Sequence, residues 1–201
     1  MILVGRYLSP FTRRVAVSMR LLGFPYEHNP LSTQADRDAI RAVNPLCRVP
    51  ALILDGGETL IDSAAILDHL DELAGPGRTL LPAGGADRRR ALKLVALAMG
   101  AGEKAVSAYY ERVRRPPEKQ HQGWVDECEA QIDGGFAEIE AMAGDGWLVG
   151  ERITEADITV VAMLGFVAKM LPEFMAGHSY PRLAALVERC EALPAFAETR
   201  P

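Results

Sequence analysis

Nothing in this sequence is long and apolar enough to span a bilayer. The longest apolar stretch, Ile158 to Ala168, falls well short of the roughly 20 residues that a membrane helix needs. It reads instead as a buried core helix. The N-terminal run Met1-Ile2-Leu3-Val4-Gly5-Arg6 is too short for the apolar part of a signal peptide. Cysteine is scarce: Cys47, Cys128 and Cys190 are odd in number, far apart and without metal-ligand spacing. That argues against a disulfide framework or a zinc site and for free thiols in a reducing compartment. Positive charge is not in excess either. The formal net charge is −5, which argues against nucleic-acid binding by bulk electrostatics. The expectation from these absences is a cytoplasmic chain with no metal, no nucleic-acid partner and no membrane association. What is present is ordinary for a globular protein with a real core: 201 residues, 49% hydrophobic and 24% charged. That length suits one large domain or two small ones.

Residues 1–74 alternate between short strand and helix signals. Ile2-Leu3-Val4 is a continuous apolar run, as in a strand buried on both faces. Ser9-Pro10 follows, then Val15, Val17, Met19, Leu21 and Leu22. Serine at an N-cap with proline at the first helical position starts a helix, and Gly23 suits its C-cap. A second strand is expected near Pro25–Pro30 and a short polar helix near Gln34–Val43. Ala51-Leu52-Ile53-Leu54, the turn Asp55-Gly56-Gly57, and Glu58-Thr59-Leu60-Ile61 read as a hairpin. Asp62-Ser63 then opens a helix whose apolar positions Ile66, Leu67, Leu70 and Leu73 keep helical spacing. The order is β-α-β-α-β-β-α, a compact α/β layer domain.

Gly75-Pro76-Gly77 and Pro82-Ala83-Gly84-Gly85 mark a linker, beyond which strand signals vanish. Helices are expected over Arg88–Arg115, around Val125–Ile139, over Asp157–Leu171 and over Pro181–Leu193. Thr154 and Asp157 form a capping box, with Ile153 and Ile158 as its hydrophobic staple. This motif is structural. The domain plan is therefore an α/β domain over 1–76, a linker over 77–86 and an all-helical bundle over 87–201.

Five local patterns then coincide in order. They are Ser9-Pro10-Phe11-Thr12-Arg13-Arg14-Val15, Asn44-Pro45-Leu46-Cys47-Arg48-Val49-Pro50-Ala51-Leu52, and Leu60-Ile61-Asp62-Ser63-Ala64-Ala65-Ile66. Trp147-Leu148-Val149-Gly150 with Thr154-Glu155-Ala156-Asp157-Ile158 follows, then Tyr180-Pro181-Arg182-Leu183 leading to Pro194-Ala195-Phe196. Together they resemble the cytosolic glutathione S-transferases. The start looks most like serine-type members, especially small bacterial transferase-like proteins. The resemblance covers nearly the whole chain. It implies a thioredoxin-like N-terminal domain, a helical C-terminal domain, glutathione as co-substrate, no metal, a small-molecule electrophile as second substrate and a homodimer.

The chemistry of such a site is demanding. The glutathione thiolate is the nucleophile, and an ordinary thiol has a pKa near about 8.5. Lowering it by about two units takes about 2.7 kcal/mol of preferential thiolate stabilisation. A charge-assisted hydrogen bond supplies about 1.5–3 kcal/mol, and a helix N-terminus about 0.3–1 kcal/mol. One hydroxyl at a helix start is therefore about sufficient. Ser9 has that position, although a serine there also serves simply as a cap. The resemblance favours the thiol-stabilising role, with Thr12 as a weak substitute. No His/Asp pattern accompanies Ser9 as a covalent nucleophile.

By resemblance, Phe11 belongs to the glutathione site, and Val49-Pro50 is a cis bond whose Val49 backbone pairs with the cysteinyl backbone of glutathione. Asp62 would accept the γ-glutamyl ammonium, and Ser63 would hold its carboxylate at a helix start. Many relatives carry Glu at the place of Asp62. Arg48 would bind the glycyl carboxylate. Arg13 and Arg14 are electrostatic helpers or a solvated helix face. Cys47 replaces a commoner glycine and is read as a small buried residue or, less readily, a redox thiol. Met99, Glu103, Tyr109, Tyr110, Arg112 and Phe166 are candidates for the apolar second-substrate cleft, Tyr110 and Arg112 foremost.

The leading function is transfer of glutathione to an electrophile, with peroxidase activity as a close variant. Glutathione-dependent isomerisation is a further class; relatives doing that begin Ser-Ser-Cys, which Ser9-Pro10-Phe11 lacks. The rival from another class is a non-catalytic glutathione-binding or regulatory protein on the same fold.

Overall fold

The computed structural model describes residues 1–201. The chain forms two compact units: Met1–Ala83 with Glu191–Pro201, and Gly84–Cys190.

The first unit is built on a four-stranded sheet of order β2-β1-β3-β4, from β1 (Ile2–Val4), β2 (Glu27–Asn29), β3 (Ala51–Ile53) and β4 (Thr59–Ile61). Strands β1 and β2 are parallel; β3 runs antiparallel to both β1 and β4, with Leu3 opposite Leu52 and Leu52 opposite Leu60. Leu3 and Leu52 have no exposed surface, which contributes about 1.5–3 kcal/mol apiece. Helices α1 (Pro10–Leu22), α2 (Arg37–Val43) and α3 (Ser63–Ala74) complete the expected β-α-β-α-β-β-α order. Helix α1 starts at the Ser9 cap and stops at Gly23, whose φ of 76° closes the helix through hydrogen bonds to Arg20 and Met19. Val15, Ala16, Val17 and Met19 are fully buried. Asp71 of α3 accepts the amides of Leu80 and Leu81 and so fixes the chain leaving this helix.

The second unit is helical: α4 (Gly85–Arg114), α5 (Gln122–Met142), α6 (Glu155–Met170), α7 (Pro172–Ala176) and α8 (Pro181–Glu191), the last running one residue past the unit's end. Small residues make its packing close. Ala91, Ala98, Ala101, Gly102, Ala105 and Ala108 are buried along α4 at helical spacing. A Cβ on Gly102 would collide with the Met163 side chain of α6. Helix α6 is the buried core helix expected, with Val160, Val161 and Met163 fully enclosed. Its capping box is present. Asp157 accepts from the Thr154 amide and hydroxyl and from the Leu148 amide, each at 2.8 Å. No helix is long and apolar enough to cross a membrane.

The C-terminal segment differs from the sequence-based plan, which put everything after residue 86 in the helical bundle. Glu191–Pro201, including α9 (Pro194–Ala197), clusters with the first unit. The physical reasons are the full burial of Phe196 and the enclosed pair of Glu191 with Arg13 of α1, to which the exposed Arg20–Glu198 pair adds little. Helix α4 also begins at Gly85, inside the expected linker, and the short α7 and α9 were not foreseen.

Candidate active site

The N-terminus of α1, the Val49-Pro50 bond and the start of α3 are drawn together within the first unit. Gly5, immediately after β1, is the point of closest packing in this arrangement. Its φ is +125°, and a Cβ there would lie 2.6 Å from Thr12 Oγ1 and 2.8 Å from Val49 Cβ. The strand end, the first turn of α1 and Val49 are thus in contact. Arg14 Nη1 donates to Ser63 Oγ at 3.4 Å, joining α1 to the first residue of α3. Val49-Pro50 is cis, as expected.

Ser9 is half-buried, and its Oγ accepts from the Thr12 amide at 3.3 Å. That cap uses an oxygen lone pair and leaves the hydroxyl proton available as a donor. The neighbouring hydroxyls do not compete. Thr12 is fully buried against Gly5, with no partner for its Oγ1, so it is removed as a substitute for Ser9. Tyr7 turns its hydroxyl onto Tyr26 at 2.9 Å and stacks on His28 with centroids 3.9 Å apart. Burial, followed by the bond to Tyr26, pushes the Tyr7 phenol well up and keeps it protonated. Phe11 is half-buried in the first turn of α1.

Arg13 and Arg14 correct the expectation of a solvated face. They are 4% and 0% exposed. Arg13 finds its counter-charge in Glu191, 178 residues away in sequence, which no local pattern reveals.

Asp62 and Ser63 stand at the head of α3. Asp62 is exposed, has a φ of 71°, and caps the helix through its carboxylate on the Ala64 amide at 2.8 Å. A non-glycine residue in this left-handed region is uncommon, and such strain gathers at ligand sites. Ser63 is 2% exposed. Arg48 is exposed, and its carbonyl is held by Asn44 Nδ2 at 2.8 Å, while Asn44 Oδ1 accepts the Leu46 amide. Asn44 is a positioning residue that the sequence reading passed over, although Asn-Pro signals such a turn. Cys47 also has a positive φ, 54°. This is a backbone reason for glycine being the commoner residue there. Cys47 is half-buried rather than enclosed, with its Sγ on the Arg37 carbonyl at 3.5 Å.

In the second unit, α4 carries Met99, Glu103, Tyr109, Tyr110 and Arg112, and α6 carries Phe166. Tyr109 packs edge-on to Phe166 with centroids 6.2 Å apart and lies 5.9 Å from Tyr110. Arg114 sits over the Tyr110 ring at 3.4 Å. These form a real aromatic cluster. Met99 is half-buried and Glu103 exposed. Arg112, one of the two favoured residues, is instead committed to Glu129 at 2.6 Å. The structure brings the tyrosines and Phe166 together but does not leave Arg112 as an unneutralised charge.

Known proteins resemble the chain along its whole length. The profile of the glutathione S-transferase N-terminal domain matches residues 3–78, and that of the C-terminal domain matches residues 122–189. A maleylacetoacetate isomerase of Pseudomonas aeruginosa is 31% identical over 97% of this chain and 93% of its own. A GST-like protein of Escherichia coli, YibF, is 28% identical over 99% and 98%. Among solved structures, a glutathione S-transferase of Methylobacterium radiotolerans in complex with glutathione sulfonate gives a TM-score of 0.91 at 31% identity, covering 100% of this chain and 94% of that one. A glutathione transferase family member from Pseudomonas fluorescens with bound glutathione gives 0.86 at 32% identity, covering 100% and 98%. Both domain profiles fall in order on one chain, and relatives above 30% identity are covered almost end to end. The chain therefore belongs to the glutathione S-transferase family.

Proposed function

We propose that this protein is a glutathione transferase that binds glutathione in its first unit, stabilises the thiolate through Ser9, and adds it to an electrophilic apolar co-substrate. The observation that carries this is the Ser9 hydroxyl at the N-terminus of α1. Its oxygen is occupied by the Thr12 amide, and its proton is available to a ligand. Capping and thiol stabilisation are then compatible, because one uses the lone pair and the other the proton. Helix α1 contributes its dipole to the same negative charge.

Around that centre, the Val49 backbone pairs with the cysteinyl backbone of glutathione, beside Phe11. Asp62 has one oxygen on the Ala64 amide and presents the other to the γ-glutamyl ammonium. Ser63 and the α3 N-terminus receive the γ-glutamyl carboxylate. Arg48 is exposed and reaches the glycyl carboxylate. In the reaction the thiol proton passes to solvent as the Ser9 hydroxyl turns to the thiolate. The sulfur lone pair then forms the C–S bond, and the electrophile's leaving group or acceptor atom takes the electrons. Within the second unit, the cluster of Tyr109, Tyr110 and Phe166 is the candidate apolar surface for the co-substrate, with Met99 and Glu103 on the same helix as the tyrosines.

A second reading is favoured by one finding, the similarity to a maleylacetoacetate isomerase. In that reaction the thiolate would add to a double bond, allow rotation and leave again. The same Ser9 would serve. We place the protein in the cytoplasm as a homodimer. Leu73 on α3 and Leu92 on α4 are exposed apolar residues, 51% and 45% accessible, and sedimentation analysis tests the self-association.

Calorimetric titration with glutathione, read together with the ultraviolet absorbance of the thiolate, tests the proposal. Binding with a thiolate signal at neutral pH supports it. A screen of electrophiles against a cis-configured dienoic or maleyl substrate then separates transfer from isomerisation. Absence of binding at millimolar glutathione overturns it in favour of a partner-binding role.

A further inference from the structure

The C-terminal segment Glu191–Pro201 lies on the helix that carries Ser9, and it is fastened there at two points. Arg13 Nη2 donates to a carboxylate oxygen of Glu191 and to the Phe196 carbonyl at 3.4 Å. Its guanidinium carbon stands 5.9 Å from the centre of the Phe196 ring. The other oxygen of Glu191 takes Arg200 Nε at 2.9 Å, and Arg200 also donates to the Glu191 carbonyl at 3.1 Å. Two turns along α1, Arg20 pairs with Glu198. Thr199, fully buried, closes the segment by donating to the Ala195 carbonyl at 2.9 Å.

The two fastenings are not equivalent. Arg20 and Glu198 are both well exposed, their side chains 35% and 55% accessible, whereas those of Arg13 and Glu191 are 5% and 20% accessible. An exposed pair contributes little, and a buried one fixes geometry because separating it leaves a charge without a partner. Arg13 is also the residue whose amide closes the first turn of α1 on the Ser9 carbonyl, at 2.9 Å. The backbones of Arg13 and Ser9 are thus joined in the same turn.

We infer that Glu191, acting through Arg13, is a positioning residue for the Ser9 hydroxyl: the C-terminal tail holds the first turn of α1 in the orientation that stabilises the glutathione thiolate. The inference rests on the Ser9 reading given above. A thiolate-stabilising hydrogen bond is steeply directional, so loosening that turn weakens it while the distant contacts at Asp62, Ser63 and Arg48 keep glutathione bound.

The test is a spectroscopic titration of the thiol pKa of bound glutathione in the full-length protein, with thermal unfolding measured alongside. Four proteins are compared with wild type: Glu191→Gln, the double variant Arg13→Met with Glu191→Gln, Glu198→Gln and Ser9→Ala. The double variant leaves no buried charge unpaired and carries the test where Glu191→Gln alone fails to fold. The expected result is a rise of about 0.5–1 unit in both Glu191 variants, a three- to tenfold loss of thiolate at a fixed pH below the pKa. Glutathione affinity stays nearly intact, and Glu198→Gln keeps the wild-type value. A fall in Glu191→Gln that the double variant cancels overturns the inference, because the Arg13 charge would then act directly on the thiolate. Unchanged values in both, or an equal rise in Glu198→Gln, overturn it as well. Failure of the underlying reading is recognised separately, by Ser9→Ala leaving the thiol pKa of the wild-type background unmoved.

Discussion

Gly5 leaves no room for a side chain beside Thr12: a Cβ added to it would stand 2.6 Å from Thr12 Oγ1. Val49 Cβ would be 2.8 Å away. Thr12 is fully buried, and the Cβ of Val49 moves only with its backbone. Gly5→Ala therefore meets both a clash and a positive φ that alanine resists. It should cost at least about 2 kcal/mol in urea unfolding and displace Val49, weakening glutathione binding. Wild-type stability would show that the end of β1 yields more easily than its contacts indicate.

Cys47 is a residue whose backbone suits glycine better, with a φ of 54°. Cys47→Gly should stabilise the fold by about 1 kcal/mol, raising the urea midpoint without changing the slope. A loss of stability would mean that the Sγ contact on the Arg37 carbonyl outweighs the strain.

Asp157 works against the usual acid-denaturation trend. Burial raises its carboxyl above the ordinary 3.8, opposed by the Leu148 and Thr154 hydrogen bonds. With the folded value raised, its contribution is fully present below about pH 3.8 and is lost as pH rises through the folded value. Asp157→Asn removes an acceptor from this cluster and should destabilise by about 1–3 kcal/mol. The gap from wild type should be widest at the acid end and narrow as pH rises, measured by denaturant unfolding across pH. A gap that widens toward neutral pH would reverse the sign of the shift.

Much of this was legible in the sequence because the signals are local. Ser9-Pro10 and Gly23 fixed the ends of α1, and the Thr154–Asp157 box fixed the start of α6. The order of strands and helices followed from short apolar runs and turn residues. The misses are physical in origin. Arginines on a helix read as solvated until a partner is found, and Glu191 lies 178 residues from Arg13. Helices as short as Pro172–Ala176 and Pro194–Ala197 have too few turns to show a period. Arg112 looked available because Glu129 belongs to the next helix. The φ of 71° at Asp62 has no sequence signature, since aspartate at a helix start ordinarily signals only a cap.

That residue and its neighbour carry the γ-glutamyl half of the proposed site. Asp62→Ala with Ser63→Ala should weaken glutathione binding at least several-fold by calorimetry. It should also lower helix stability by about 1 kcal/mol through loss of the cap. Full retention of affinity would place the γ-glutamyl end elsewhere.

The most direct test of the account is the thiol pKa of glutathione bound to Ser9→Ala, followed by thiolate absorbance against pH. With the hydroxyl gone and the helix dipole left, the pKa should rise by about one to two units, since a charge-assisted hydrogen bond contributes about 1.5–3 kcal/mol. Glutathione affinity should be nearly unchanged. A bound thiol that titrates as in wild type would contradict the account and remove Ser9 from the chemistry.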